Sequence, residues 1–306
     1  VAHGASFNRW LAVGRYTDGV RPARARREVF VLDYHVHTEF SVDCKIPMAT
    51  QCEAAIAAGV TEIAFTDHLD HEPADPGYGY YRPEAFFAAI EECRETYGDR
   101  LTILAGVEID FNERIAGQVE QFVSSHSYDF IIGSVHYGEN GDIIFQDYFR
   151  DREWDDVYKP YVRRLKMAAE TGWFDTLGHI DLPKRYAPID KRTYDPLRYK
   201  DELQQLFRVL IEHEVAFEIN TSGLRQTPKT SMPGPAIVRW YVEAGGTLIT
   251  TGTDSHAPQH IGSGISQTLD MLELCGIESL ATFRNRERTQ RPIADIRAQP
   301  IVASGA

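Results

Sequence analysis

A chain of 306 residues, 43% hydrophobic and 25% charged, can bury a substantial core as one large domain or two small ones. Its net charge of −13 argues against a broad nucleic-acid or anionic-membrane surface, so an anionic substrate would need a local positive field. No apolar run approaches the roughly 20 residues that span a bilayer. Residues 1–28 lack the apolar centre of a secretion signal, and the four cysteines show no Cys-x-x-Cys spacing, which together point to reduced thiols in a cytoplasmic protein.

Residues 1–28 carry Arg9, Arg15, Arg21, Arg24, Arg26 and Arg27 with little hydrophobic periodicity. They read as a flexible basic arm, residues 29–296 as the folded unit and 297–306 as a tail. From Val29 onward, strand and helix patterns alternate. Residues 29–32 form an apolar strand, 47–58 have Ala-rich helical spacing closed by Gly59, and 61–66 are the second strand. The spacing predicts a helix over 83–97, with Pro83 in its first turn and Gly98 beyond its end. Strand three is 101–109, a short helix covers 119–125, and strand four is 130–135. Residues 154–170 read as a long amphipathic helix interrupted near Pro160. Strand five is 174–178, a helix covers 197–213, strand six is 215–219, 235–244 are helical, and strand seven is 247–251. Residues 267–275 and 279–284 read as one or two closing helices. Seven strands alternating with helices, with no break in composition, predict an α/β protein whose parallel sheet closes into a barrel.

In Asp33-Tyr34-His35-Val36-His37, alternate side chains of a strand share a face, so both imidazoles can reach one ion. Apolar runs also end at Asp67-His68, Glu108, His136, His179 and Asp254-Ser255-His256. Six of the eleven histidines therefore fall at strand ends, where a barrel gathers its catalytic groups. A doubly wound open sheet would instead draw its site from one switch point. Asp43, just beyond the first strand, completes a candidate ligand set of His35, His37, Asp43, His68, Glu108, His136, His179, Asp254 and His256. Mixed imidazole and carboxylate ligation suits Zn²⁺, Mn²⁺ or Fe²⁺ better than Mg²⁺ or Ca²⁺.

Nine ligands are too many for one ion, but with Glu108 bridging they can serve two to three. Three divalent ions against three carboxylates leave about +3 at the mouth, a field that attracts a phosphate dianion. Paired ions stabilise both attacking and leaving oxygens, so hydrolysis of a small phosphorylated substrate is the inferred chemistry, with Glu108, His136 and Asp254 at its centre. Arg185, in Leu182-Pro183-Lys184-Arg185, and Arg225, in Asn220-Thr221-Ser222-Gly223-Leu224-Arg225, are expected to rim the same face. Each would grip phosphate, the alternative being a pairing with a surface carboxylate. Asp33 is expected to orient an imidazole. Asp67 and Asp181 either do similar work or make ordinary loop hydrogen bonds. Asp70 and His71 lie near enough in sequence to protonate a leaving alkoxide. His126, His213 and His260 read as helix or loop residues, and His3 belongs to the arm.

The series Asp33-Tyr34-His35-Val36-His37-Thr38, Phe65-Thr66-Asp67-His68, Gly106-Val107-Glu108, Gly133-Ser134-Val135-His136, Leu177-Gly178-His179, Glu218-Ile219-Asn220-Thr221-Ser222 and Thr253-Asp254-Ser255-His256 resembles the polymerase-and-histidinol-phosphatase (PHP) superfamily. Within it the chain is similar to the monofunctional histidinol-phosphate phosphatases. The resemblance implies a distorted (β/α)7 TIM-like barrel with a metal site at the C-terminal ends of its strands. Carried over by position, His35, His37, Glu108 and Asp254 would hold one ion, Glu108, His136 and His179 a second, and Asp43, His68 and His256 a third. Family members often hold a histidine where Asp43 stands, and an aspartate there resembles the histidinol-phosphatase branch. The implied activity is hydrolysis of L-histidinol phosphate in histidine biosynthesis. A PHP phosphoesterase acting on nucleotides or sugar phosphates is the nearest alternative, and an amidohydrolase-type hydrolase or deaminase is the alternative from another class. The basic arm has no counterpart in the family pattern.

Overall fold

The structure is a computed structural model that describes residues 31–138, 141–191 and 193–298. The arm at 1–28, with His3, and nearly all of the tail lie outside these residues. In the first strand, β1 (Val31–Val36), the ladder continues through Asp33 and His35 and so fixes which side chains turn inward. It is followed by α1 (Met48–Ala57), β2 (Val60–Phe65), the two-residue β3 (His68–Leu69), α2 (Pro83–Tyr97), β4 (Thr102–Asp110), α3 (Ala116–Ser125) and β5 (Phe130–Ser134). Then come α4 (Trp154–Glu170), β6 (Thr176–Leu177), α5 (Pro183–Tyr186), α6 (Lys200–Glu212), β7 (Ala216–Asn220), α7 (Ser222–Arg225), α8 (Pro235–Glu243), β8 (Ile249–Gly252) and α9 (Ile265–Cys275).

The strands run in the order β1-β2-β4-β5-β6-β7-β8, each pair parallel, while β3 pairs with β4 beyond the end of β2. A helix follows each of the seven main strands and covers the sheet's outer face. That cover explains why Ile103 to Ile109 of β4 are buried on both sides rather than alternating with polar residues. The chain is therefore an α/β barrel of seven β/α units, distorted by the inserted β3.

Closure between β8 and β1 is local. Val36 bridges Ser255, the His37 amide donates to the Ser255 carbonyl at 2.9 Å, and Thr251 Oγ1 donates to the Leu32 carbonyl at 3.1 Å. Asp33 completes this seam, which corrects its expected contact with an imidazole. Its carboxylate accepts from the Thr253 amide (2.9 Å), Thr253 Oγ1 (2.6 Å) and the Gly262 amide (3.0 Å). A fully buried carboxylate needs several donors, and here two backbone amides and the Thr253 hydroxyl, all after β8, supply them.

Two other expectations change. Residues 279–284 form a strand, β9 (Ser279–Arg284), paired antiparallel with β10 (Glu287–Pro292), after which α10 (Ile293–Ala298) ends the described chain. Asn285 and Arg286, with φ of 52° and 63°, make the two-residue turn that matches strand twist, and Leu280, Ala281 and Phe283 are buried. Helix α4 also runs unbroken through Pro160. Reciprocal hydrogen bonds between Glu153 and Asp156 anchor its first turn upstream of the proline.

Replacing Asp33 with alanine strands three donors at the seam and should lower unfolding free energy by about 2–4 kcal/mol. Urea unfolding checks this, and a loss below about 1 kcal/mol would show that the seam does not depend on Asp33.

Candidate metal centre

Glu108 stands at the middle of the mouth, only 1% exposed. Its Oε2 lies 3.0 Å from His35 Nε2, 3.5 Å from His37 Nε2 and 3.1 Å from His68 Nδ1. Its Oε1 lies 3.2 Å from His179 Nε2 and 3.4 Å from His136 Nε2, and accepts a hydrogen bond from Ser134 Oγ. Burial alone would raise this carboxyl's pKa, but the surrounding imidazoles, His35 and His68 foremost, hold it well below its usual value. Asp254 Oδ1 is 3.5 Å from both His37 Nε2 and His256 Nδ1, and half-exposed Asp43 is 3.0 Å from His256 Nε2 and 3.7 Å from His68 Nε2. The structure thus brings all nine predicted ligands together.

Three groups have ligand atoms mutually within 4.8 Å: His37, Asp43, His68 and His256; His35, His37 and Asp254; and His68, Glu108 and His136. They overlap the carried-over sets with three differences. His37 and His68 are each shared between groups, Glu108 stands in one group and not with His35, His37 and Asp254, and His179 faces Glu108 without entering a group of three.

The hydrogen bonding around these rings fits divalent cations. Ser41 Oγ donates its one proton to Asp67 (2.9 Å), so it accepts Nδ1–H from His37 (2.9 Å). That tautomer leaves the His37 Nε2 lone pair fully buried with no hydrogen-bond partner, pointing among carboxylates and other rings. Burial, then neighbouring His256 and His68, pushes His37 down to about 3, so the ring stays neutral. His35 directs Nδ1 at Glu218 Oε1 (2.7 Å), the buried carboxylate partner that ligating imidazoles characteristically have. The Glu218 Oε2 also accepts from the His179 amide at 3.0 Å. Two ligand residues, His179 (φ 21°) and Asp254 (φ 51°), sit in the left-handed region, a strain of about 1–3 kcal/mol each that surrounding bonds sustain.

Two supporting residues escaped the sequence reading. Glu218 stands in the sequence pattern only as part of a motif, and Asp110, which accepts the His136 amide at 2.7 Å and faces its Nδ1 at 3.7 Å, stands outside the candidate set. The signal was present: Glu218-x-Asn220 and Glu108-x-Asp110 repeat the two-residue alternation that identified His35 and His37. Asp67 works on the site, since it holds Thr38 and, through Ser41, His37. Asp181 instead pairs with Lys184 at 2.6 Å. His71 packs on Phe122 rather than lining the cavity.

A cavity of about 330 Å³ opens over the ligands, lined also by Asp70, Asp75, Pro76, Phe145, Arg185 and Tyr186. Burial and the adjacent Asp75 push Asp70 up to about 8. Arg185 Nη1 donates to Asp254 Oδ2 at 3.0 Å. Arg225 is not among the lining residues; its Nη2 donates to the carbonyls of Thr253 (2.6 Å) and Asp254 (2.9 Å), behind the ligand loop.

A family model described as the PHP domain matches residues 33–222. The chain belongs to the PHP domain family. Membership sets aside the amidohydrolase-type alternative. The histidinol-phosphatase of Lactococcus lactis subsp. lactis is 30% identical, over 82% of this chain and 94% of that protein. The probable histidinol-phosphatase of Deinococcus radiodurans is 28% identical, over 83% and 97%. The crystal structure of histidinol phosphate phosphatase from Lactococcus lactis, complexed with zinc, L-histidinol and phosphate, matches with a TM-score of 0.77 at 26% identity, covering 85% of this chain and 98% of that one.

Glu218→Gln keeps the shape but weakens the acceptor for His35 and should lower zinc affinity about 10–100-fold with little change in fold. Competitive zinc titration followed by circular dichroism tests this, and unchanged affinity would remove Glu218 from the centre. Zinc binding should also tighten as pH rises. Burial opposes charging His136, yet Glu108 and Asp110 carry it up to about 9, and His35 is likewise raised by Glu218 and Glu108. Protons held on these rings below that range must leave before a cation binds. Zinc affinity measured from pH 6 to 9 should climb, and a flat profile would contradict the assignment.

Proposed function

We propose that this chain hydrolyses L-histidinol phosphate to L-histidinol and phosphate. The observation that carries the reading is the meeting of nine ligand side chains, seven of which line one cavity together with Arg185 while His35 and His37 are buried beside them. They meet in a fold that matches, over most of both chains, an enzyme solved with zinc, L-histidinol and phosphate. Bound divalent ions, two or three of Zn²⁺, Mn²⁺ or Fe²⁺, supply Lewis-acid charge for the phosphoryl oxygens and lower the pKa of the attacking water.

The chain's own residues do the positioning. Glu108 turns one oxygen to His35, His37 and His68 and the other to His136 and His179, and so sets the spacing between ligand groups. Asp254 steadies one end of the Arg185 fork, whose remaining donors take the phosphoryl oxygens. Arg225 serves the same end indirectly, by fixing the peptide carbonyls before and after the Asp254 Cα. Asp70, on the cavity wall, is the acid placed to return a proton to the leaving alkoxide. Among the described residues no helix is long and apolar enough to cross a membrane, and all four cysteines are free thiols. The free thiols fit a cytoplasmic enzyme, and the partner we infer for it is a small phosphorylated substrate rather than nucleic acid.

Phosphate release from the metal-loaded protein should be at least about 100-fold more efficient, as kcat/KM, for L-histidinol phosphate than for nucleoside monophosphates or sugar phosphates. Equal or reversed efficiencies would replace this substrate with another phosphomonoester.

A further inference from the structure

Among the described phenylalanines Phe145 is the exposed one, with 46% of its surface open. The others pack in or against the core. An open aromatic ring on a cavity wall leaves apolar area in water that a ligand can cover favourably. Phe145 lines the same cavity as the metal ligands.

Its position is set by the backbone around His136. Tyr137 bridges Ile143, Gly138 donates to the Asp142 carbonyl at 2.7 Å, and the Ile144 amide donates to the His136 carbonyl at 2.8 Å. The segment returning toward His136 therefore brings Ile143, Ile144 and Phe145 to the wall. Tyr186 meets it from α5, with ring centroids 4.9 Å apart and planes at 69°. The Tyr186 ring lies under the neighbouring guanidinium of Arg185, 5.3 Å from its centroid. The aromatic wall thus begins one residue from the group that takes the phosphoryl oxygens. A ligand joining the two needs a short link between ester oxygen and ring.

We propose that Phe145 and Tyr186 form the subsite for the alcohol half of the substrate and select phosphomonoesters that carry a flat unsaturated ring on a short acyclic chain. The proposal rests on the reading above, in which the ring is the imidazole of histidinol. Edge-to-face aromatic pairs leave ring faces free for a further stacked ring. A nucleotide, whose base is set off by a whole ribose, meets this geometry less well.

The experiment compares 3-phenylpropyl phosphate with n-propyl phosphate on the metal-loaded full chain, as KM, or as Ki where turnover is too slow to follow. The native protein should prefer the ring ester by about tenfold. Phe145→Ala should weaken the ring ester by about five- to tenfold through KM and the propyl ester by less than about twofold, and Phe145→Trp should retain the preference. Equal effects on both esters, or no ring preference in the native protein, would overturn the subsite. L-histidinol phosphate is measured beside them. Should it do no better than propyl phosphate while the phenylpropyl ester remains preferred, the histidinol reading fails and the ring subsite stands.

Discussion

The centre depends on one buried carboxylate that cannot satisfy itself. Glu108 is shut off from solvent, and five imidazoles face its two oxygens. In a region of low dielectric an ionised carboxylate persists only when positive charge or hydrogen-bond donors surround it. Without cations His35 and His136 take up protons to meet that need while His37 stays neutral, and with cations both return to neutral ligands. Metal loading and proton release are therefore one equilibrium in this fold.

Around Glu108 lies a second layer that holds the rings in useful tautomers. Glu218 faces His35, Ser41 backed by Asp67 faces His37, and Asp110 faces His136. Each is an acceptor placed on the ring nitrogen away from the centre, which leaves the inner nitrogen as the lone pair. The barrel seam serves the same purpose at the backbone level. Asp33 binds Thr253 and Gly262, Arg225 binds the carbonyls of Thr253 and Asp254, and the strained Asp254 backbone is held between them. Stability of the barrel and geometry of the site are hard to separate here, because the residues that close one also aim the other.

The two-residue period of strands was the most informative feature of the sequence. It put His35 and His37 on one face, and the ends of later apolar runs supplied His68, Glu108, His136, His179 and Asp254. Those assignments are legible because side-chain direction in a strand is fixed by the backbone alone. Ligand type followed from the chemistry of imidazole and carboxylate. The strand at 279–284 was missed, because burial on both faces erases alternation and leaves an apolar run that a helix would share. Pro160 was over-weighted, since the cost of a helical proline is offset by packing that spacing cannot reveal.

By itself, then, the amino-acid sequence determined the order of seven strands and helices, the identity of the nine ligand-type residues and the family pattern they make. Only the tertiary structure decided which oxygen of Glu108 serves which ring, that Asp33 closes the barrel instead of touching an imidazole, and that Arg225 lies behind the ligand loop while Arg185 lines the cavity. The physical reason is separation along the chain. Local periodicity fixes the direction a side chain takes from its own backbone, but the partner it meets there comes from a distant segment, 220 residues away in the case of Asp33 and Thr253. That meeting is settled by how the sheet closes.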